Sequence, residues 1–250
     1  MWLAIGLFAA PVMMFAQADE IQVYDGAIAE KGKLGLAVHN NFTPIGIKTP
    51  SFPGGVIPDK SLNGTAEWAY GATDWFEAGL YMPLYSISKD GVSFNGFKLR
   101  ALFVRPHADD HKFVYGVNFE FSVNQKKWDE RRFTSEIRPI IGWHFHPIDL
   151  IVNPILDTSY TGGVKSLDFA PSTRVAYNLP KKKDWAVAIE EYADLGPLRS
   201  FDAVRDQSHQ VFAVVDHDGK KLSFEAGVGF GLNSASDKIT FKLILMHDLN

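Results

Sequence analysis

The sequence predicts an all-β chain folded as a closed antiparallel transmembrane β-barrel of about twelve strands, with short periplasmic turns and longer outer loops. Three observations carry that expectation. Apolar and polar residues alternate with period two along most of the chain, as side chains do on the two faces of a strand. Most alternating segments have 9 to 13 residues. A tilted membrane-crossing strand needs roughly 9–11, whereas soluble strands peak near 5–6. Short and long connections also take turns, a habit of outer-membrane barrels that a soluble sandwich has no reason to share.

In chain order, residues 1–18 (MWLAIGLFAAPVMMFAQA) stand apart. They carry no charge, hold an apolar run from Trp2 to Phe15, and end in Ala16-Gln17-Ala18 before Asp19-Glu20. This reads as a secretory signal peptide cut after Ala18, although basic residues before the run are missing; the run is short of the roughly 20 residues a helical span needs. Residues 19–250 then form a single barrel domain. Its alternating segments fall at about 33–41, 63–71, 75–86, 95–106, 112–123, 133–145, 148–159, 167–179, 185–195, 208–217, 222–232 and 238–249. The connections after every second segment are tight: ATD, HADDH, HP, PKKKD and HDGKK. The others are mostly longer, above all residues 42–62, whose prolines and glycines resist regular structure and suit a loop folded inward or laid over the rim.

Parity assigns the faces. In FTSEIRPIIGWHFHP (133–147), Ile137, Pro139, Ile141, Trp143 and Phe145 share one side. Glu136, Arg138, Gly142 and His144 share the other, with Ile140 as the exception. Extended over all segments, the apolar parity faces lipid and the ionic parity faces the lumen. The pore-lining candidates are the acids Glu67, Glu77, Glu120, Glu136, Asp157, Asp168, Glu190, Asp194 and Glu225, with the bases Lys98, Arg100, Arg138, Arg174 and Lys242. Nine acids against five bases make the lumen mildly acidic. Twelve strands lie between the eight that side chains fill and the 16–18 that leave a water channel. The lumen charges therefore read either as a pore lining or as a structural ion-pair network. Trp75, Phe113, Trp143, Phe145, Tyr177 and Trp185 gather beside the short turns, as an interfacial girdle would.

Other chemistries find little. A net charge of −4 without a basic tract gives no argument for nucleic acid, so none is expected as a partner, and the absence of cysteine excludes thiolate chemistry and disulfides. Gly227, Gly229 and Gly231 in GVGFGL alternate strictly, which suits spare lumen space rather than a phosphate loop. His107, Asp109, Asp110 and His111 have metal-ligating types but sit in one tight turn with no further ligand element. Ser208 and His209 supply two parts of a hydrolase triad, yet strand neighbours point apart. No cofactor and no metal is expected.

The stretches HNNFTP, FPGGVIPDKSLNGTAEWAYGATDWFEAGLY, YGVNFEFSVN, WDERRFTSEIRPIIGWH, DLIVNPILD, LDFAPSTRVAYN, AIEEYADLGPL and GVGFGL resemble an uncharacterised group of proteobacterial outer-membrane proteins. That group is loosely related to the transporter-like family named for the meta-pathway of phenol degradation. The resemblance spans nearly the whole mature chain and implies an outer-membrane barrel in contact with lipid, inserted by the barrel assembly machinery. It carries over no functional residue. The chain ends FKLILMHDLN, without the terminal aromatic that such barrels usually present to that machinery. The expected function is a channel or transporter for small solutes. A closed structural or surface-interaction barrel is the alternative, and an outer-membrane hydrolase the third reading.

Overall fold

The computed structural model describes residues 19–160 and 167–250; the expected signal peptide, residues 1–18, lies outside them. Among the described residues run fourteen strands: β1 (Leu34–Ile45), β2 (Ser61–Thr73), β3 (Phe76–Ser88), β4 (Gly91–Val104), β5 (Phe113–Asn124), β6 (Phe133–His144), β7 (Ile148–Asn153), β8 (Leu156–Ser159), β9 (Asp168–Phe169), β10 (Ser172–Asn178), β11 (Trp185–Asp194), β12 (Ser208–His217), β13 (Ser223–Gly231) and β14 (Ile239–Asp248). All pair antiparallel with their neighbours, and β14 pairs with β1 from Gly35↔Asp248 to Ile45↔Ile239, which closes the ring. Closure leaves no free edge to aggregate.

Fourteen strands make twelve staves. β7 and β8 both pair with β6 and are two halves of one crossing; β9 and β10 pair with those halves in turn. The breaks fall at Pro154 and Pro171, which have no N–H for the ladder. They also account for Pro139 in the middle of β6. His144 donates its N–H toward Lys112 on the β5 side, so odd-numbered residues of β6 point theirs at β7 and β8. Pairing on that side runs from Ile141↔Val152 straight to Ile137↔Leu156. Pro139 stands opposite the gap, where no ladder bond is lost.

One expected long connection is short. The stretch between the third and fourth segments continues as strand, with Ile87↔Val92 and Ser88↔Gly91 closing a hairpin at Lys89-Asp90. Gly91, the first residue of β4 after the Lys89-Asp90 turn, takes φ 99°, a conformation glycine adopts without strain. The register shifts between Tyr81 and Leu84, where Gly96 takes φ 127°. Other connections at this end are longer: 46–60, 125–132, 195–207 and 232–238.

The faces follow the predicted parity. Phe113, Tyr115, Phe119, Val175, Ile189, Phe230 and Phe241 are exposed on the outer wall, where lipid would cover them. The aromatic girdle at the short-turn rim is built from Trp75 stacked near Phe103 (6.0 Å between ring centres), Phe113 beside Trp143 (5.6 Å) and Trp185 beside His217 (4.5 Å). A second aromatic group, Phe121 with Phe133 and Tyr160, lies toward the opposite rim. Only the first of these groups is evident from the sequence.

Candidate functional site

The lumen is the site, and it is filled. Residues 19–33 form no strand. They enter at the short-turn end, where Gly32 N–H donates to Gly71 O (2.7 Å) and Gly71 N–H to Lys33 O (3.0 Å). The segment then climbs the inside of the barrel. Ala29 N–H donates to Glu77 (2.5 Å), and Tyr24 exchanges two backbone hydrogen bonds with the side chain of Asn153 (2.7 and 2.9 Å). Gly26, at φ +100°, passes so close to the wall that an added Cβ would sit 2.6 Å from Val114 Cγ1. Asp19 ends the described path against Lys98 (2.7 Å).

The wall meets this segment with the predicted charges. Arg138, 1% exposed, donates to Glu136 from Nε (2.6 Å) and to Gln22 O (3.1 Å), lies 3.8 Å from Glu20, and stacks over the Tyr24 ring at 4.4 Å. Arg100 pairs with Glu67 (2.8 Å) and Glu77, and donates to Tyr24 Oη (3.2 Å). Glu67 also holds the buried His39 (2.9 Å). Lys242 bridges Glu190 and Glu225 (2.5 Å) and donates to Ile21 O (3.3 Å). Arg174 joins Glu190, Asp216 and Glu225. Removing charges from water is costly, and the cost is offset only where each finds partners. Here the five predicted bases all do.

All fourteen predicted lumen residues face inward. Twelve are buried, while Asp168 and Asp194 are half-buried toward the long-loop end. What parity missed is the segment that covers them. It also missed the apolar share of the lumen. Ile21 and Val23 pack with Ile151, Ala176, Ala188, Tyr192, Phe212 and Val214; Tyr24 packs with Leu102, Val104 and Ile140. The polar lumen expected from sequence is therefore a mixed one. Ile140, the exception in its strand, was the visible signal: an apolar side chain on an inner face needs an apolar partner inside. The alternate glycines fit the expected spacing role, but the space is taken. A Cβ on Gly229 would lie 2.3 Å from Phe212 Cζ.

Above Asp19 a polar cavity of about 40 Å³ remains, lined by Asp19, Lys98, Glu120, Glu136, Asp157, Trp128, Asp129 and neighbouring hydroxyls. Loop 46–60 lies over this end. Ile47 N–H donates to Asp237 in loop 232–238 (2.7 Å), and Val56 N–H donates to Lys127 O (3.0 Å), beyond the intervening β3–β4 hairpin. Burial pushes the Asp237 carboxyl above its ordinary range. The hydrolase candidates do not combine: Ser208 Oγ meets Ser236 (3.2 Å), while His209 meets Glu191 (3.2 Å).

No protein-family model and no curated protein matches the sequence, so the relation to the phenol meta-pathway family gains no support. Solved structures do match. An outer-membrane channel from Pseudomonas putida F1 is 12% identical with a TM-score of 0.60, covering 92% of this chain and 100% of that one. The NanC porin is 7% identical with a TM-score of 0.55, covering 86% and 100%. The translocator domain of the autotransporter NalP from Neisseria meningitidis is 10% identical with a TM-score of 0.50, covering 88% and 89%. At such identities the likeness concerns the fold, and the fold is that of an outer-membrane β-barrel.

Proposed function

We propose that the protein is an outer-membrane channel for small solutes, with a mildly acidic lumen that its own N-terminal segment stoppers. The carrying observation is how that segment is held. It forms no ladder with the wall, and its principal lumen anchors are side-chain contacts from Lys98, Arg138, Lys242, Arg100 and Asn153. A barrel of this girth is wider than its wall side chains alone fill. A separable stopper in a charged bore is what a channel needs and a passive anchor does not. The likeness to a channel and a porin supports the reading.

The test is conductance in planar bilayers. Removing residues 20–30 should convert a poorly conducting barrel into one that conducts in steps and prefers potassium to chloride. The nine predicted inner acids outnumber the five predicted inner bases, and Asp216 beside Arg174 adds a further inner acid; this excess would focus cations between low-dielectric walls. The preference should fade as the Debye length falls from about 10 Å at 0.1 M to about 3 Å at 1 M salt. A folded, heat-modifiable shortened barrel that stays silent overturns the reading. The second reading, a closed structural barrel, would then stand. It is favoured by the paired charges and by the two apolar clusters around Ile21 and Tyr24.

A further inference from the structure

The cavity above Asp19 has an unbalanced wall. Five acids border it, Asp19, Glu120, Asp129, Glu136 and Asp157, against the single base Lys98. Most have partners elsewhere. Lys98 serves both Asp19 (2.7 Å) and Glu120 (3.5 Å), Arg138 serves Glu136, and Arg131 serves Asp129 (3.4 Å). Asp157 is left over. It is 6% exposed, and its Oδ2 has no hydrogen-bond partner among the described residues. A carboxylate oxygen buried without a donor is expensive, and a cation beside it would offset that cost.

The chain can supply one itself. Residues 16–18 form a small-x-small cleavage signal immediately before Asp19. Hydrolysis of the Ala18–Asp19 bond by a signal-processing peptidase adds water, leaving a carboxylate on Ala18 and an ammonium on Asp19. Asp19 borders the same cavity as Asp157, and its nitrogen is only a few bonds from the carboxylate that Lys98 holds. We propose that this cavity is the seat of the mature α-ammonium group, with Asp157 as its principal counter-ion. Processing would then do more than remove a leader: it would create the charge that anchors the tip of the lumen segment. In an uncleaved chain the Asp19 nitrogen would instead be an uncharged amide. The inference rests on cleavage after Ala18 and does not depend on whether the barrel conducts.

The test uses the full-length protein recovered folded from outer membranes. Its intact mass should correspond to a chain starting at Asp19; any other start overturns the proposal. A water-soluble carbodiimide should then join the Asp19 α-amine to Asp157 by a direct amide, found by peptide mass spectrometry. Lys98 linked to Glu120 or Asp19 in the same sample shows that reagent reaches the cavity. A Lys98 link without an N-terminal one overturns the proposal. In a second measurement, acetylation at neutral pH should modify the exposed Lys181–Lys183 freely. An amine held as ammonium by a buried carboxylate offers about tenfold less free base, so the α-amine should react correspondingly more slowly in folded than in unfolded protein. Asp157→Asn should remove most of that protection. Equal reactivity in both states, or full protection retained in a folded Asp157→Asn barrel, overturns it. If that variant does not fold, the cross-link on the unaltered chain decides.

Discussion

Arg138 shows how far a single lumen residue is committed. It binds Glu136, touches Glu20, donates to the Gln22 carbonyl and covers Tyr24, all away from water. Arg138→Met is expected to leave Glu136 and Glu20 buried without their cation and to cost roughly 3–5 kcal/mol, by the behaviour of broken buried pairs. Denaturant titration of the folded barrel in detergent measures this; a cost below about 1 kcal/mol would mean water already reaches the pair. Gly229 makes the converse point. Its missing side chain is the space occupied by the Phe212 ring, which packs edge-on to Tyr192 at 5.4 Å. Gly229→Leu is expected to cost at least about 1–3 kcal/mol through overpacking. Combining it with Phe212→Ala should recover part of the loss. An open, watery lumen would instead tolerate Gly229→Leu alone.

At the scale of the strand, β14 carries both environments on adjacent residues. Lys242 is buried inside among Glu190, Glu225 and the Ile21 carbonyl, while Leu243 faces outward. Leu243→Arg places a charge against lipid and is expected to cost roughly 2–4 kcal/mol near the midplane. Refolding into bilayers of defined thickness, compared with the unaltered barrel, measures it. A neutral outcome would place Leu243 at the interface or reverse the faces. β6 shows what a strand can absorb. Its central proline is accommodated because its missing donor points into the gap between β7 and β8, not because the ladder tolerates proline.

For the whole molecule, the two ends differ in kind. One carries mostly short turns and the aromatic girdle; the other carries most of the long connections, with loop 46–60 drawn across the mouth. Epitope insertions at Gly55, Asp129 or Arg205 should be reachable from outside intact cells, and one at Lys182 should not. Antibody labelling of whole and lysed cells reads this directly. Accessibility at Lys182 alone would invert the orientation, and equal labelling at every site would remove the membrane-spanning arrangement. The N-terminal segment should be protected from protease in the same folded barrels, since residues 19–24 are largely buried among wall side chains.

Much of this molecule is written in one dimension. Period two fixes which side chains share a face, segment length favours a membrane crossing, and twelve such segments leave closure as the way to avoid edges. All of that is local or additive, so parity alone put Glu67, Arg100, Arg138, Glu190 and Lys242 on the inner wall. Parity has no reach across the bore. It did not pair Arg138 with the Gln22 carbonyl or Lys242 with that of Ile21, because those contacts join residues 116 and 221 positions apart. It read Lys89-Asp90 as part of a longer loop, because a hairpin can extend strands beyond the membrane without changing their period. Alternation specifies the wall and its two faces. What fills the wall emerges only in three dimensions, because residues 19–33 have no period to read, and their place is set by the charges and apolar side chains that closure brings around them.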